Sequence, residues 1–524
     1  MLSITTWASA LAIFGTAYAG PTPPLSNNAC SKALGALGLP SSWTQSIPCT
    51  GNARLTCSVL QHLFPSNETF TGGSQYYQTL VEVPYSAICE KDPACFVTPE
   101  TSDDVSLIMR VLTATNTKFA IRSWGHLPLP GWNAVGSDGV VISLERLQKK
   151  VLSPDKKYAT LGPGQNWATV YDWIEKLGVQ IVGGRDPGVG VGGFLLGGGI
   201  SLFNDKKGLG LDQIVRYEIV LPSGKVVNAT TKENTDLYKS LKGGLSNFGI
   251  VTEFEVMTSD IIDINYEVSL YSPNATRDIL TAYADFLRED GPGDAVVQLE
   301  VSEKSTLVFY GHIGHVASAP EFQRFRSIPV MTPFLRPTNG TVASFLFATV
   351  GSSGNGATGE SPGSYYHTSV AQKIPDAKLI LEGYDEYLKA AKMMQPGMAM
   401  YFAPQGFTSA LVKNGKARNG GNIMGLYDAP QFWHDTYVTF PNVNQYGVAQ
   451  KAVDSWSAAW TKKAKKEGSF LPIVYSNNGN VNSKPLSGYG KNNFDFIKKT
   501  AKKYDPKGVM QTLQNDGYKI KKEA

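Results

Sequence analysis

The chain has 524 residues, of which 42% are hydrophobic and 18% are charged, and its formal net charge is +4. This length provides enough apolar surface for about two or three domains. The small net charge, without a basic run that carries interleaved aromatic residues, argues against nucleic-acid binding. After the N-terminus no stretch reaches the roughly 18 uninterrupted apolar residues of a membrane helix, so no membrane span is predicted.

The first nineteen residues have the pattern of a secretion signal. Leu2 to Ala19 is mostly apolar, carries no charged side chain and ends in Ala17-Tyr18-Ala19, a small-residue cleavage pattern. We therefore predict that residues 1–19 are a signal peptide and that the mature chain is secreted.

The cysteines and the glycosylation sequons agree with secretion. Two disulfides and one free thiol are possible, but the sequence does not rank the connectivities, and the spacing matches no zinc pattern, so no metal site is predicted. The cysteines are Cys30, Cys49, Cys57, Cys89 and Cys95. The sequons, which predict a glycoprotein, are Asn67, Asn228, Asn274 and Asn339.

We predict that residues 20–260 form a first domain of mixed helices and strands. Residues 20–95 are a turn-rich, cysteine-bearing cap, and residues 96–260 are the core of the domain. A helix begins at Thr101, where side-chain oxygens offer a cap. The further predicted elements are strands over 118–121, 139–144 and 158–161, a helix marked by Trp167, Val170, Tyr171 and Ile174, strands around 214–221 and 226–227 that turn at Pro222-Ser223-Gly224, a helix around Leu237 and Leu241, and a strand over 249–252.

Residues 261–470 form a second predicted domain, and residues 471–524 a tail that returns to the first. The predicted elements of the second domain are a helix with Ile279, Leu280, Tyr283, Phe286 and Leu287, antiparallel strands over 296–301 and 306–310, a mobile loop over 351–364, and a helix with Val453, Trp456 and Trp460. Helices mixed with hairpins predict the α+β class rather than a regular parallel sheet.

Two glycine-bearing loops predict a cofactor site. The first, Arg122-Ser123-Trp124-Gly125-His126, follows a buried strand, and the second covers Pro187–Gly199. Glycine lets backbone N–H groups approach a flat or anionic ligand, so two such loops indicate a large cofactor held along much of its length. The stretch Gly188–Gly193 satisfies G-x-G-x-x-G, but we expect no helix straight after it, which argues against a dinucleotide-binding Rossmann fold.

Together these motifs resemble the berberine-bridge-enzyme-like branch of the vanillyl-alcohol-oxidase type flavoproteins. The first loop is similar to the R-S-G-G-H of that branch, with Trp124 in place of a glycine. Val189-Gly190-Val191-Gly192-Gly193 with Gly197-Gly198-Gly199 resembles its second flavin loop. Further similar stretches run from Asp236-Leu237 through Gly243-Gly244 to Asn247-Phe248-Gly249-Ile250-Val251-Thr252, and cover Tyr504-Asp505-Pro506.

The resemblance implies a two-part FAD-binding domain of the PCMH type, a substrate domain with an antiparallel sheet covered by helices, and FAD bound covalently through His126. Asp186 stands where many members have a second attaching cysteine, so no cysteinyl link is expected. Val189 corresponds to the position that faces oxygen, where valine accompanies oxidases. The implied FAD-binding residues are Arg122, Ser123, Trp124, Gly125, His126, Pro187, Gly188, Val189, Gly190, Gly192, Gly193, Gly198, Asn247, Gly249, Ile250 and Val251.

The substrate side is less distinct. Tyr475-Ser476-Asn477 resembles the Y-x-N motif that faces the flavin, so Tyr475 is the candidate base and Asn477 a candidate substrate-orienting residue. The histidines of the second domain, which are more typical of surface or core positions than of catalysis, are His312, His315, His367 and His434.

The predicted function is a secreted, monomeric FAD oxidase that acts on a small alcohol, amine or sugar with O2 as acceptor. Two alternatives stay open. One is a dehydrogenase with another electron acceptor, and the other is a flavin-binding protein without catalysis, which the substitution at Trp124 keeps under consideration.

Overall fold

The computed structural model describes residues 31–32, 34–37, 39, 52–64, 68–289, 293–316, 318–350, 364–373 and 376–524. The predicted signal peptide, Cys30, Cys49, the sequon at Asn67 and residues 351–363 of the predicted loop lie outside them. Within the described residues the strands form three sheets, accompanied by helices throughout, which confirms the α+β class. No helix of this part of the chain is both long enough and apolar enough to cross a membrane.

The first sheet has four strands in the order β1-β2-β4-β3, and β4 runs parallel to both of its neighbours. Thr101 caps α3 in a capping box with Asp104, as the sequence predicts. Cys57 of α1 forms a disulfide with Cys95 of β2, and Cys89 is a buried free thiol. The elements are α1 Ala53–Leu63, β1 Thr69–Phe70, α2 Gln75–Glu82, β2 Cys95–Val97, α3 Ser102–Thr115, β3 Lys118–Arg122 and β4 Gly139–Ser143.

The second sheet is antiparallel, in the order β5-β6-β10-β8-β9, with β7 also paired to β10. The strands β8 and β9 form the hairpin predicted around residues 222–224. The elements are β5 Lys150–Leu152, β6 Tyr158–Leu161, α4 Trp167–Ile174, β7 Gln180–Ile181, α5 Val191–Leu196, α6 Asn204–Lys207, β8 Ile214–Val220, β9 Val226–Thr230, α7 Thr235–Leu241 and β10 Ile250–Ser259.

Helix α5 corrects one expectation. The glycine-rich segment forms a six-residue helix, because Phe194 and Leu195 are buried in the core, and this packing outweighs the low helix propensity of glycine. The helix ends at Leu196, and Gly197 is its C-cap. The strand before it, β7, pairs antiparallel with β10, so the surroundings are not those of a Rossmann βαβ unit.

The third sheet has eight antiparallel strands in the order β14-β11-β13-β12-β16-β17-β15-β18. Helix α11 packs against both α8 and α13, and the three helices share an apolar core with one face of the sheet. The elements are β11 Asp263–Tyr271, α8 Thr276–Arg288, β12 Ala295–Val301, β13 Thr306–Ile313, α9 Gln323–Arg326, β14 Thr332–Thr341, α10 Val342–Val350, β15 Ser364–Lys373, α11 Ala377–Ala391, β16 Ala399–Phe407, α12 Ser409–Lys416, β17 Gln431–Phe440, α13 Tyr446–Lys466 and β18 Phe470–Leu471.

The C-terminal segment packs on the first domain. Phe119 of β3 exchanges backbone hydrogen bonds with Leu513 and Asn515. Asn247 donates to the carbonyl of Tyr518 at 2.9 Å, which ties the C-terminal segment to the chain just before β10. The helices of this segment are α14 Pro485–Gly488, α15 Lys491–Tyr504, α16 Val509–Thr512 and α17 Ile520–Glu523.

Candidate active site

A cavity of about 910 Å³ lies between the two glycine-bearing loops and the face of the eight-stranded sheet that the helices leave uncovered. Its volume falls within the range of small-molecule and cofactor sites, roughly 300–1,000 Å³. Most of the residues implicated by sequence line it. They are Ser123, Trp124, Gly125, His126, Val189, Gly190, Gly192, Gly193, Gly249, Ile250, Val251, Tyr475 and Asn477.

Arg122 supports the first loop from below. Its side chain is fully buried, donates to the carbonyl of Asn133 at 3.0 Å and to that of Leu80, and lies over the ring of Phe96. Burial lowers the pKa of its guanidinium to about 10. Arg122 is not among the residues that line the cavity. Its hydrogen bonds to the backbone of Asn133 and Leu80 hold the end of β3 in place, and with it the start of the loop.

The tip of the first loop offers free donors. Within the described residues, the peptide N–H groups of Trp124, Gly125 and His126 donate to no acceptor. Successive backbone N–H groups without partners are suited to an anion such as a pyrophosphate.

The second loop lies close against the first. A Cβ at Gly190 would lie 2.5 Å from the Cβ of Trp124, and a Cβ at Gly192 would lie 3.1 Å from the Oγ of Ser123. Because atoms cannot approach that closely without displacement, glycine is required at Gly190 for the two loops to meet. Trp124 therefore fits beside the cavity because Gly190, which lies against it, has no side chain.

His126 is held between an aromatic ring and a carboxylate. The Tyr85 ring stacks on the imidazole with centroids 4.2 Å apart and an interplanar angle of 17°. The Nε2 atom of His126 lies 3.3 Å from Oδ2 of Asp186. Asp186 also accepts the N–H of Gly188 at 2.8 Å, so one carboxylate contacts the histidine and the start of the glycine loop together.

Four other residues predicted to bind FAD lie near the cavity but do not line it. Pro187 accepts from the N–H of Ala168 through its carbonyl, and Gly188 donates to Asp186. Gly198 has φ +130°, and a Cβ there would lie 2.8 Å from the Tyr475 ring. Asn247 is buried and tied to the C-terminal segment. These residues shape the loops, and none of the four lines the cavity.

Tyr475 lies beneath the second loop, and its oxygen is surrounded by donors. It accepts the N–H groups of Gly199 at 3.3 Å and Ile200 at 3.1 Å, and the side-chain amide of Asn477 at 3.1 Å. Burial raises the pKa of the phenol, although these hydrogen bonds and the charge of Arg185 act in the opposite direction. Tyr475 is therefore a neutral phenol near pH 7.

Asp435 is a candidate residue that the sequence analysis missed. It lies in the middle of β17, lines the cavity and accepts a hydrogen bond from the side chain of Asn478. Burial raises the pKa of its carboxyl to about 8, against the opposing effects of Asn478 and Arg185. Arg185 also lines the cavity and interacts electrostatically with both Asp435 and Tyr475, which places the three groups in one region.

The only sequence signal for Asp435 is that it is the single acidic residue of β17, a strand rich in aromatic residues. Strand alternation separates it from its neighbour His434. His434 points to the helix-covered face, where its ring lies 4.0 Å from that of Trp460, and burial lowers its pKa well below the ordinary value. This position is a core position, as expected for that histidine.

A second carboxyl lies on the same face of the sheet. Glu300 of β12 lines the cavity and accepts a hydrogen bond of 2.9 Å from the hydroxyl of Tyr437, and burial raises its pKa. The ring of Tyr437 stacks on that of Tyr401 at 4.8 Å. This part of the cavity is thus aromatic and acidic, and Arg185 also lines the cavity.

The cavity, the loops and the fold define an FAD-binding oxidoreductase. A family model described as "FAD binding domain" matches residues 93–230. Over 516 residues the chain is 40% identical to the FAD-dependent monooxygenase macF of Penicillium terrestre, a match that covers 98% of both chains. The chain therefore belongs to the family of FAD-dependent oxidoreductases that includes macF.

Solved structures share the fold at low identity. BBE-like 1 of Physcomitrella patens aligns with a TM-score of 0.74 and 19% identity, over 88% of this chain and 99% of that chain. Glucooligosaccharide oxidase of Acremonium strictum, described with 6-S-cysteinyl, 8α-N1-histidyl FAD, aligns with a TM-score of 0.73 and 17% identity, over 88% of this chain and 100% of that chain.

The residues present fit FAD. The free N–H groups of residues 124–126 suit its pyrophosphate, and the closely packed glycine loops leave a cavity between them rather than side chains. His126 lines the cavity, and its Nε2 atom lies 3.3 Å from Oδ2 of Asp186, which also lines it.

Proposed function

We propose that the protein is an oxidase that removes a hydride and a proton from a small alcohol, amine or sugar and reduces O2 to H2O2. FAD, when bound, supplies the two-electron acceptor for the substrate and the electron donor for O2. The observation that carries this proposal is the common cavity, which brings Asp435 and Tyr475 to the side of the glycine loops where His126 and Val189 lie.

Asp435 is the proposed proton acceptor. A general base works best when its pKa lies near the working pH, and burial brings the pKa of this carboxyl to about 8. The oxygen of Tyr475 accepts three N–H groups, so its own hydrogen is available to a substrate oxygen or nitrogen. Tyr475 and Asn477 would thus orient the substrate, and Asp435 would take its proton.

FAD is proposed to be joined to His126 and to no cysteine. Two observations support attachment without a cysteine. Residue 186 is an aspartate, and the free thiol of Cys89 is buried and is not among the residues that line the cavity. The signal-like N-terminus, the sequons and the Cys57–Cys95 disulfide support a secreted glycoprotein. We propose that it acts as a monomer.

Monooxygenation is the second candidate, because macF, 40% identical over 98% of the chain, is named a monooxygenase. The two activities differ in the fate of O2. An oxidase releases both oxygen atoms as H2O2, whereas a monooxygenase places one of them in the product.

The test uses purified holoenzyme and a panel of small alcohols, amines, sugars and phenols. Substrates are first found by anaerobic bleaching of the flavin absorbance, and turnover is then run under ¹⁸O2. Equal amounts of H2O2 and product, with no ¹⁸O in the product, support the oxidase. Incorporation of ¹⁸O supports the monooxygenase, and bleaching that only an added quinone reverses supports a dehydrogenase.

A further inference from the structure

The contact between His126 and Asp186 sets the geometry of the histidine ring. Nε2 faces Oδ2 of Asp186 at 3.3 Å, and the Tyr85 ring covers one face of the imidazole. The contact between Nε2 and Oδ2 is at ion-pair distance without hydrogen-bond geometry, and within the described residues Nδ1 makes no ion pair. Both His126 and Asp186 line the cavity, so the carboxylate lies on the Nε2 side of the ring beside the proposed flavin position.

The carboxylate is suited to act on this ring. Burial would raise the pKa of Asp186, but His126 and the N–H of Gly188 outweigh it and the pKa lies below its ordinary value. Asp186 is therefore ionised near neutral pH. A carboxylate beside one imidazole nitrogen holds the proton on that nitrogen and makes the other a better nucleophile.

We propose that Asp186 is the positioning residue for flavin attachment: it keeps the proton of His126 on Nε2, so that Nδ1 is the atom that bonds to the flavin. This inference rests on the histidyl bond of the proposed function. By the resemblance, Asp186 stands where many members have a second attaching cysteine. The proposal gives this aspartate a role of its own in the attachment of FAD to His126.

The step balances with O2 as oxidant. A bond forms between Nδ1 and the 8α-carbon, and one C–H bond of that carbon breaks. The proton of that C–H and the proton of Nε2 leave, the latter toward Asp186. The two electrons pass through the flavin ring system to O2, and with the two protons they give H2O2.

Asp186→Asn is the decisive variant. The asparagine oxygen can still accept the N–H of Gly188, so the loop contact remains while the negative charge beside His126 is lost. We expect the full-length variant to bind FAD in wild-type amount but to attach it on the order of 10²-fold more slowly at pH 7. The readouts are total flavin per chain and the fraction that stays with acid-precipitated protein over time, which do not require turnover.

The pH dependence separates positioning from a structural effect. At about pH 9 the higher concentration of base in solution can take the Nε2 proton in place of the carboxylate, so incubation of Asp186→Asn at that pH is expected to restore much of the attachment. Tyr85 stacks on the ring, and Glu300 is a further titratable group that lines the cavity. The pKa of Tyr85 is raised to about 12 by burial, Asp186 and Glu300, so Tyr85 stays neutral in this range.

Asp236→Asn is the matched control. Like Asp186, Asp236 accepts a nearby backbone N–H, that of Leu237, and lies beside a basic side chain, Lys503, but it does not line the cavity. It is expected to attach flavin like wild type. Wild-type attachment by Asp186→Asn at pH 7, or an equal loss in Asp236→Asn, would overturn the role of Asp186. Free release of flavin from the wild-type protein would instead contradict the proposed histidyl bond itself.

Discussion

The side-chain amide of Asn477 donates a hydrogen bond of 3.1 Å to the phenol oxygen of Tyr475, two residues earlier in the chain. The same oxygen accepts the N–H of Ile200 at 3.1 Å, so a segment near the C-terminus and the end of the glycine loop meet at one atom. This arrangement fixes the phenol beside the cavity and leads to the first prediction.

Tyr475→Phe removes the acceptor that three N–H groups share. We expect flavin reduction by substrate to slow by about 10²-fold or more, since the substrate loses the donor that orients it. Unsatisfied buried donors are also expected to lower the free energy of unfolding by about 1–3 kcal/mol. Stopped-flow absorbance and thermal unfolding measure the two effects.

Tyr489→Phe is the matched control for that variant. Its hydroxyl is also buried and donates to the carbonyl of Gly243 at 3.1 Å, but the residue does not line the cavity. It is expected to lose stability without slowing flavin reduction. A reduction rate for Tyr475→Phe within about threefold of this control would assign Tyr475 a structural role only.

Asp435→Asn tests the proposed base. Wild-type flavin reduction is expected to rise with pH through about 8, where the carboxyl ionises. The asparagine variant is expected to be slower by on the order of 10²–10⁴-fold and to lack this rise. A wild-type profile without an inflection in that region, or an unchanged profile in the variant, would assign the proton transfer to another group.

The same residue predicts how stability depends on pH. The pKa of Asp435 is raised in the folded protein from 3.8 to about 8, so its neutral form stabilises the fold. That contribution is complete below about pH 4 and is lost as pH rises through 8. Relative to wild type, Asp435→Asn should therefore gain melting temperature between pH 5 and 8.5, as differential scanning fluorimetry would show. A constant difference would mean that Asp435 is ionised throughout.

Val189→Leu tests access of O2. Val189 lines the cavity at the second loop, and a longer side chain there is expected to slow reoxidation of the reduced enzyme in air by roughly tenfold or more, as a gate would. Anaerobic reduction by substrate should be unchanged. Double-mixing stopped flow separates the two half-reactions, and identical reoxidation rates would show that this side chain does not control oxygen.

Much of the cofactor side could be predicted from sequence because it is local. The loop after β3 and the glycine loop are continuous motifs, and most of their residues line the cavity. The direction of the Arg122 side chain could not be predicted, since its acceptors on Leu80 and Asn133 come from other parts of the chain. The short helix α5 depends on tertiary burial of Phe194, which local propensity does not contain.

The substrate side depends on contacts between distant segments. Asp435 meets Asn478, and Arg185 joins Asp435 with Tyr475, only after the eight-stranded sheet has formed against the first domain. Strand periodicity shows that residues 433 and 435 share a face but not which face turns toward the cavity. The sequence therefore supplied Tyr475 and Asn477 through their motif and gave no comparable sign of Asp435.

Peptide mapping of the purified holoenzyme tests the central claim, that FAD lies in this cavity bonded to His126. The protein is digested, and the peptide that carries His126 is analysed by mass spectrometry. We expect this peptide to carry the mass of one flavin, with the bond at the histidine, and His126→Ala to release its flavin on denaturation. An unmodified His126 peptide from a flavin-loaded enzyme, or flavin on any other residue, would contradict the account.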